Sequence, residues 1–228
     1  MKWARRIPQI ILTRIGGFVQ ASHVRALNGA LNYLETGRWF RSQGFGAFPR
    51  YRHRSELHSA IAGRFAEERI LYLEFGVYRG ESLRLWSKLL RNADSALHGF
   101  DSFEGLPEAW DASRPKGTFD VRGRVPTFAD ERIRLHPGWF SDTLPSFLLP
   151  LYDRLIVHLD ADLYSSTAFV LEQLRNRILP GTVLIFDEFC DRMHEQRAFE
   201  EYLHKTGHCF RVLGATANLE QVSFERVE

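Results

Sequence analysis

Leu155-Ile156-Val157-His158-Leu159-Asp160-Ala161-Asp162 and Val183-Leu184-Ile185-Phe186-Asp187-Glu188 are two apolar runs, each closed by acids. Strands buried on both faces of a parallel sheet are near-continuous in apolar residues, and ligands of open α/β sheets bind beyond the strands' carboxyl ends. The two runs therefore predict buried parallel strands that bring Asp160, Asp162, Asp187 and Glu188 to one sheet edge. Such a gathering in a partly desolvated cleft is costly unless a cation, a proton or a positively charged ligand offsets the repulsion. A hard divalent metal is the simplest offset, because oxygen ligands suit Mg²⁺, Mn²⁺ or Ca²⁺ and no Cys-rich spacing competes.

Outward from these strands the alternation continues. Residues 70–75, 96–100 and 133–136 read as strands, and 82–92, 142–148, 165–178 and 193–205 as helices. Residues 208–213 and 219–224 read as a closing strand pair. The pattern predicts a doubly wound, Rossmann-like α/β sheet, mostly parallel with an antiparallel edge. Residues 102–130 are long, Pro/Gly-bearing and weakly periodic, which marks a lid, a binding loop or a disordered segment. Towards the N-terminus, Val24, Leu27, Leu31 and Leu34 stand at helical spacing, with Gly37 as the expected stop. Residues 38–54 read as a covering loop rich in Gly, Arg and aromatics, and 55–68 as a helix.

The chain of 228 residues is thus expected to comprise a basic helical extension or lid, 1–64, and an α/β domain, 65–228. The overall charge of +2 hides an asymmetry, since 1–64 holds eleven Lys/Arg against only Glu35 and Glu56. That segment either faces an anionic partner or docks on the acidic remainder. No interleaved aromatic and basic module points to nucleic acid, and no apolar run reaches the ~20 residues of a membrane span. Cys190 and Cys209 show no CxxC spacing or disulfide density, so a reducing, cytoplasmic location is expected.

The turn Glu74-Phe75-Gly76-Val77-Tyr78-Arg79-Gly80-Glu81-Ser82 follows the first α/β strand. Its glycines let backbone approach a ligand, and the next helix offers free N–H groups. It is neither G-x-G-x-x-G nor a P-loop, which argues against a dinucleotide or an NTP. Asp101 closes the following strand, where an acid accepts hydrogen bonds from ribose hydroxyls or serves only as a turn residue. Together the turn and the acid suggest a nucleoside-bearing cofactor.

These motifs, with Asp101-Ser102-Phe103-Glu104-Gly105-Leu106-Pro107, His136-Pro137-Gly138-Trp139-Phe140-Ser141-Asp142-Thr143-Leu144-Pro145, Asp160-Ala161-Asp162-Leu163-Tyr164-Ser165-Ser166-Thr167 and Pro180-Gly181-Thr182-Val183-Leu184-Ile185-Phe186-Asp187-Glu188, resemble the macrocin/mycinamicin O-methyltransferase family over residues 65–228. The resemblance implies a class I S-adenosylmethionine-dependent enzyme with a divalent metal, Mg²⁺ being the expected ion. It implies cofactor contacts from Glu74, Gly76, Tyr78, Gly80, Ser82 and Asp101, and an adenine border of Gly138, Trp139, Phe140 and Asp142. It implies metal ligands at Asp160, Asp187 and Glu188, and Asp160 and Asp187 are thereby expected to be catalytic; His158 is expected as a catalytic helper on its own chemistry. His136, Asp162 and His194 are further candidate bases. Leu163 stands where catechol-type relatives keep a catalytic lysine, so that base does not carry over.

The expected partner is a small-molecule hydroxylated acceptor, a sugar unit of a natural product or polysaccharide. Trp39, Phe40, Phe45, Phe48 and Tyr51, with Trp110 and Phe119, wall its pocket or are ordinary core or dimer surface. A homo-oligomer through the N-terminal helices is a further expectation. Two other readings stay open: a methyltransferase-fold binding protein without turnover, and a metal-dependent hydrolase using Asp160, Asp187 and Glu188.

Overall fold

Residues 70–75 contain no exposed position: the whole strand is buried, and it sits near the middle of an eight-stranded sheet. The computed structural model describes residues 7–228, the side chains of Ile7 and Arg25 excepted. The elements in order are α1 (Ile7–Gly16), α2 (Ala21–Ser42), β1 (Arg50–Tyr51), α3 (Arg54–Phe65), β2 (Ile70–Phe75), α4 (Glu81–Leu89), β3 (Ala96–Asp101), β4 (Ile133–Pro137), α5 (Phe140–Thr143), β5 (Arg154–Leu159), α6 (Tyr164–Leu174), β6 (Val183–Phe186), α7 (Glu195–Thr206), β7 (Phe210–Thr216) and β8 (Val222–Arg226).

The strands lie in the order β1-β7-β8-β6-β5-β2-β3-β4. From β4 to β6 every pairing is parallel, while β8 runs antiparallel to both β6 and β7. The chain winds outward from β2 through β3 to β4, then returns to β5 and winds the other way. The reversal lies between β2 and β5, and a crevice opens there beyond the carboxyl ends. The closing pair is antiparallel as expected, but the edge itself is the two-residue β1, parallel to β7. So short a strand, in a segment read as loop, has no periodicity to betray it.

Each face of the sheet is covered. On one, Leu57, Ile61 and Ala62 of α3 and Leu83 and Trp86 of α4 share a core with Ile70, Tyr72, Ile156 and Ile185. On the other, Phe186 packs against Phe199 of α7, with ring centroids 4.9 Å apart. The register pairs Glu74 with His158, and His158 with Ile185, so Glu74 and His158 lie side by side on the α3/α4 face near the carboxyl ends of their strands.

The chain divides into two compact units, Met1–Gly44 and Phe45–Glu228. In the first, α2 continues through Gly37 to Ser42. A mid-helix glycine costs only about 1 kcal/mol, less than a helix break between apolar turns. Val24, Leu27, Leu31 and Leu34 are exposed. In the second, α3 belongs to the core around β2, although its sequence reads as part of the extension.

The segment between β3 and β4 is folded upon itself rather than extended. Leu106 N–H donates to Thr118 O, Gly117 N–H to Leu106 O, and Gly123 N–H to Phe103 O. Gly105 has φ +79°, and a Cβ there would strike the carbonyls of Gly117 and Thr118. Arg132 fastens the far end of the segment: its guanidinium donates to the carbonyls of Ser87, Leu90 and Asn92 and pairs with Asp130 at 2.7 Å.

Candidate active site

Beyond β2 and β5 lies a cavity of about 540 Å³, a size suited to a small-molecule ligand. Its wall includes Gly76, Tyr78, Asp101, Trp139 and Phe140 on one side and Asp160, Asp162, Asp187 and Glu188 on the other. The structure therefore brings the glycine turn and the acidic cluster, far apart in sequence, to one space.

The turn is shaped by Asp101. Its Oδ2 accepts the N–H groups of Val77 and Tyr78, both at 2.8 Å, and its Oδ1 accepts Phe103 N–H at 2.6 Å. One carboxylate thus pins the turn after β2 to the start of the long loop. Asp101→Asn replaces an acceptor with a donor facing N–H groups, and is expected to weaken S-adenosylhomocysteine binding about 10–100-fold, a loss of one or two hydrogen bonds to a charged group. Calorimetric titration checks it; unchanged affinity would show that the turn keeps its shape without the carboxylate.

The acids cluster because β5 and β6 are adjacent and in register. Atoms of Asp160, Asp162 and Glu188 lie within 4.8 Å of one another, as do atoms of His158, Asp160 and Asp187. Burial, then the charge of Asp187, pushes Glu188 up to about 12 and Asp162 up to about 7, and holds Asp160 and Glu195 well above the usual carboxylate range. Buried Glu188 Oε2 and His158 Nε2 take no hydrogen bond among the described residues. Like charges, unpartnered buried ligand atoms and an oxygen-rich donor set together fit a hard divalent cation.

The other candidates sit apart from the wall. Glu74 is buried beneath, where Tyr72 O–H donates to it at 2.7 Å. His158 is also beneath, its Nδ1 2.8 Å from Tyr72 Oη and its Nε2 3.8 Å from Asp187. Burial opposes a charged His158 ring, but the Asp187 and Glu74 carboxylates outweigh it and push the imidazole up to about 10. Gly80 caps α4 with φ +75°, and Ser82 lies on that helix. Gly138 takes φ +135° in the turn before α5, and exposed Asp142 accepts a hydrogen bond from Ser141.

His136 is paired with His98 at 2.9 Å, and His194 Nδ1 accepts Tyr164 N–H at 3.2 Å. Trp110 lies away from the cavity: it packs with Leu106 and Leu163 and donates to Asp191. Leu163 therefore anchors the loop. Phe119 does line the cavity, beside Tyr78.

Glu195 escapes sequence reading although it organises the cluster. Fully buried in the first turn of α7, it accepts N–H groups from Ala161, Asp187 and Glu188 at 3.3, 2.9 and 3.3 Å. An acid in a helix's first turn is ordinary, so its type and place carried no signal. Ser165 and Ser166, from the motif after β5, also line the cavity, as do Arg54 and Phe169, which belong to no motif.

Residues 52–209 match the model of the family described as macrocin-O-methyltransferase (TylF). The chain is 33% identical over 154 residues to the 8-demethyl-8-(2,3-dimethoxy-alpha-L-rhamnosyl)-tetracenomycin-C 4'-O-methyltransferase of Streptomyces olivaceus, covering 55% of this chain and 57% of that protein. It is 28% identical over 152 residues to the mycinamicin III 3''-O-methyltransferase of Micromonospora griseorubida, covering 55% and 59%. The chain thus spans less than two thirds of the length of these curated relatives. Among solved structures, the O-methyltransferase NovP superposes with a TM-score of 0.58 at 26% identity, over 75% of this chain and 76% of that one. CalS11, a calicheamicin methyltransferase, shares the fold with a TM-score of 0.63 at 22% identity, over 83% and 90%.

Proposed function

The chain belongs to the macrocin-O-methyltransferase family of S-adenosylmethionine-dependent enzymes, and from that premise we propose that it methylates a hydroxyl of a small-molecule acceptor. The acceptor class that the relatives' names support is a sugar unit of a natural product. One juxtaposition carries the reading: a single cavity is walled by the Asp101-organised glycine turn and by the Asp160/Asp187/Glu188 cluster. In this reading Gly76, Tyr78 and Asp101 hold the cofactor, Trp139 and Phe140 border its adenine, and the carboxylates hold a divalent cation.

Transfer breaks the sulfonium carbon–sulfur bond as the acceptor oxygen forms its bond to the methyl carbon, in line. A bound cation supplies acidity and a fixed position to the acceptor hydroxyl. The residues supply orientation, which contributes on the order of 7–11 kcal/mol in favourable cases. The loop built on Leu106, Pro107 and Phe119 excludes water. Asp162, on the cavity wall, is the helper base best placed to take the hydroxyl proton.

The test is titration of metal-stripped protein with S-adenosylhomocysteine, before and after Mg²⁺, followed by a screen of glycosylated acceptors. S-adenosylhomocysteine binding is expected in both conditions, and its absence in both would remove the proposal. Mg²⁺ addition at pH 7 is expected to release protons, because burial and the charge of Asp187 push Glu188 up to about 12, above that pH, and a cation takes the proton's place. A Mg²⁺ binding heat independent of buffer ionisation enthalpy would contradict that part.

No helix among the described residues is long and apolar enough to cross a membrane. A cytoplasmic setting is part of this reading, in keeping with two cysteines, Cys190 and Cys209, that have neither CxxC spacing nor the density of a disulfide framework. The exposed apolar positions of α2 support self-association through the N-terminal unit that ends at Gly44; a monomeric mass by light scattering would remove that part.

A further inference from the structure

Beneath the acidic cluster runs a line of buried polar side chains that the proposed reaction leaves unused. Trp86 of α4 donates its indole N–H to His58 Nδ1 of α3 at 2.8 Å. His58 Nε2 lies 2.9 Å from Gln221 Oε1, and the Gln221 amide nitrogen donates to Asp187 Oδ1. Trp86, His58 and Gln221 are 0%, 1% and 2% exposed, so water does not complete their hydrogen bonds.

The direction of this line follows from the one member that cannot be reversed. An indole nitrogen only donates. His58 Nδ1 must therefore offer a lone pair, which excludes the imidazolium and puts the single ring proton on Nε2. That proton needs an oxygen, so Gln221 turns Oε1 to His58 and its NH₂ to Asp187. The opposite amide orientation would set an oxygen against a carboxylate and an NH₂ against an N–H. Burial, aided by neighbouring His158, lowers His58 to about 3, in keeping with a neutral ring.

We propose that Trp86, His58 and Gln221 are positioning residues: a one-way hydrogen-bond relay that holds Asp187 by Oδ1 and leaves its Oδ2 for the ligand in the cavity. The proposal rests on the reading of Asp187 as a ligand of a divalent cation. The relay joins α3, α4 and the residue before β8 to the residue after β6, so the rotamer of a site carboxylate is set by side chains that do not themselves line the cavity. Glu195 holds the backbone N–H of the same residue. Asp187 is thereby fixed at both main chain and side chain, and outer partners of this kind raise cation affinity 10–100-fold.

Two measurements test it. Nitrogen-15 NMR of histidine-labelled, cation-free protein is expected to show His58 protonated at Nε2 and bare at Nδ1; a proton on Nδ1 would overturn the relay. In the second, Mn²⁺ affinity is read by electron paramagnetic resonance, and S-adenosylhomocysteine affinity by calorimetry, in Gln221→Met and Trp86→Phe. Each variant is expected to bind Mn²⁺ about 10–100-fold more weakly and the nucleoside within about threefold of wild type. Unchanged Mn²⁺ affinity in both, or equal loss of both ligands, would overturn the positioning role. Gln221→Met keeps the side chain's length should Trp86→Phe fail to fold. Wild-type protein that binds no Mn²⁺ yet shows the expected tautomer would overturn the cation reading of Asp187, and with it the role though not the existence of the relay.

Discussion

Gly76→Ala is expected to abolish S-adenosylhomocysteine binding and to lower folding stability by more than about 4 kcal/mol, the range reserved for gross steric conflict. Gly76 has φ +95°, and a Cβ on it would fall on the carbonyl oxygen of Asp160. That oxygen belongs to the main chain between β5 and α6, held in turn by the hydrogen bond from Asp160 N–H to Phe75 O, so no side chain can swing aside. Relief requires the ends of β2 and β5 to part, and the cavity is walled by those two ends. Gly117→Ala separates the causes: φ there is +82° but nothing lies within 4 Å, so it should cost only the roughly 1–2 kcal/mol of left-handed backbone. Urea unfolding followed by tryptophan fluorescence measures both. A Gly76→Ala protein with normal stability and affinity would mean that the two strand ends do not approach as described.

Asp187→Asn is expected to lower the rate of methyl transfer by about 10³-fold, equivalent to roughly 4 kcal/mol of transition-state stabilisation. Affinity for S-adenosylhomocysteine should stay within about threefold. Asparagine can present its oxygen to the Gln221 amide and so keep the packing, while the group turned to the cavity becomes an NH₂ that no cation accepts as a ligand. Single-turnover rates and calorimetry on the same preparations decide it. Equal loss of rate and cofactor affinity would place Asp187 on the cofactor side of the cavity. The contrast with Asp101→Asn, which acts on affinity through the glycine turn, divides the wall into two functional halves.

Much of this architecture was readable because its signals are local. A run such as Ile70–Phe75, apolar but for Glu74, reads as a strand buried on both faces, and its spacing from the next run leaves room for only a helix. The antiparallel β8 was equally audible as the second of two consecutive strands. What escaped were features without local periodicity: the two-residue β1, and the continuation of α2 through Gly37. The 102–130 segment was identified as a loop, yet its closure on itself depends on hydrogen bonds such as that from Leu106 to Thr118, between residues that nothing in the sequence pairs.

The candidate site divides the same way. Gly76, Asp101, Asp160, Asp187 and Glu188 stand at strand ends, and a strand end in a doubly wound sheet has a known place, so the sequence by itself determined that glycine turn and carboxylates would share one edge. Only the tertiary structure decided what holds them there. Glu195, His58 and Trp86 lie on α7, α3 and α4 and Gln221 just before β8, each with an ordinary residue type for its position. Their roles arise from hydrogen bonds between segments up to 163 residues apart. Burial removes water as an alternative partner, so each such group must find its complement within the fold, and which complement it finds is a property of packing that no stretch of sequence contains.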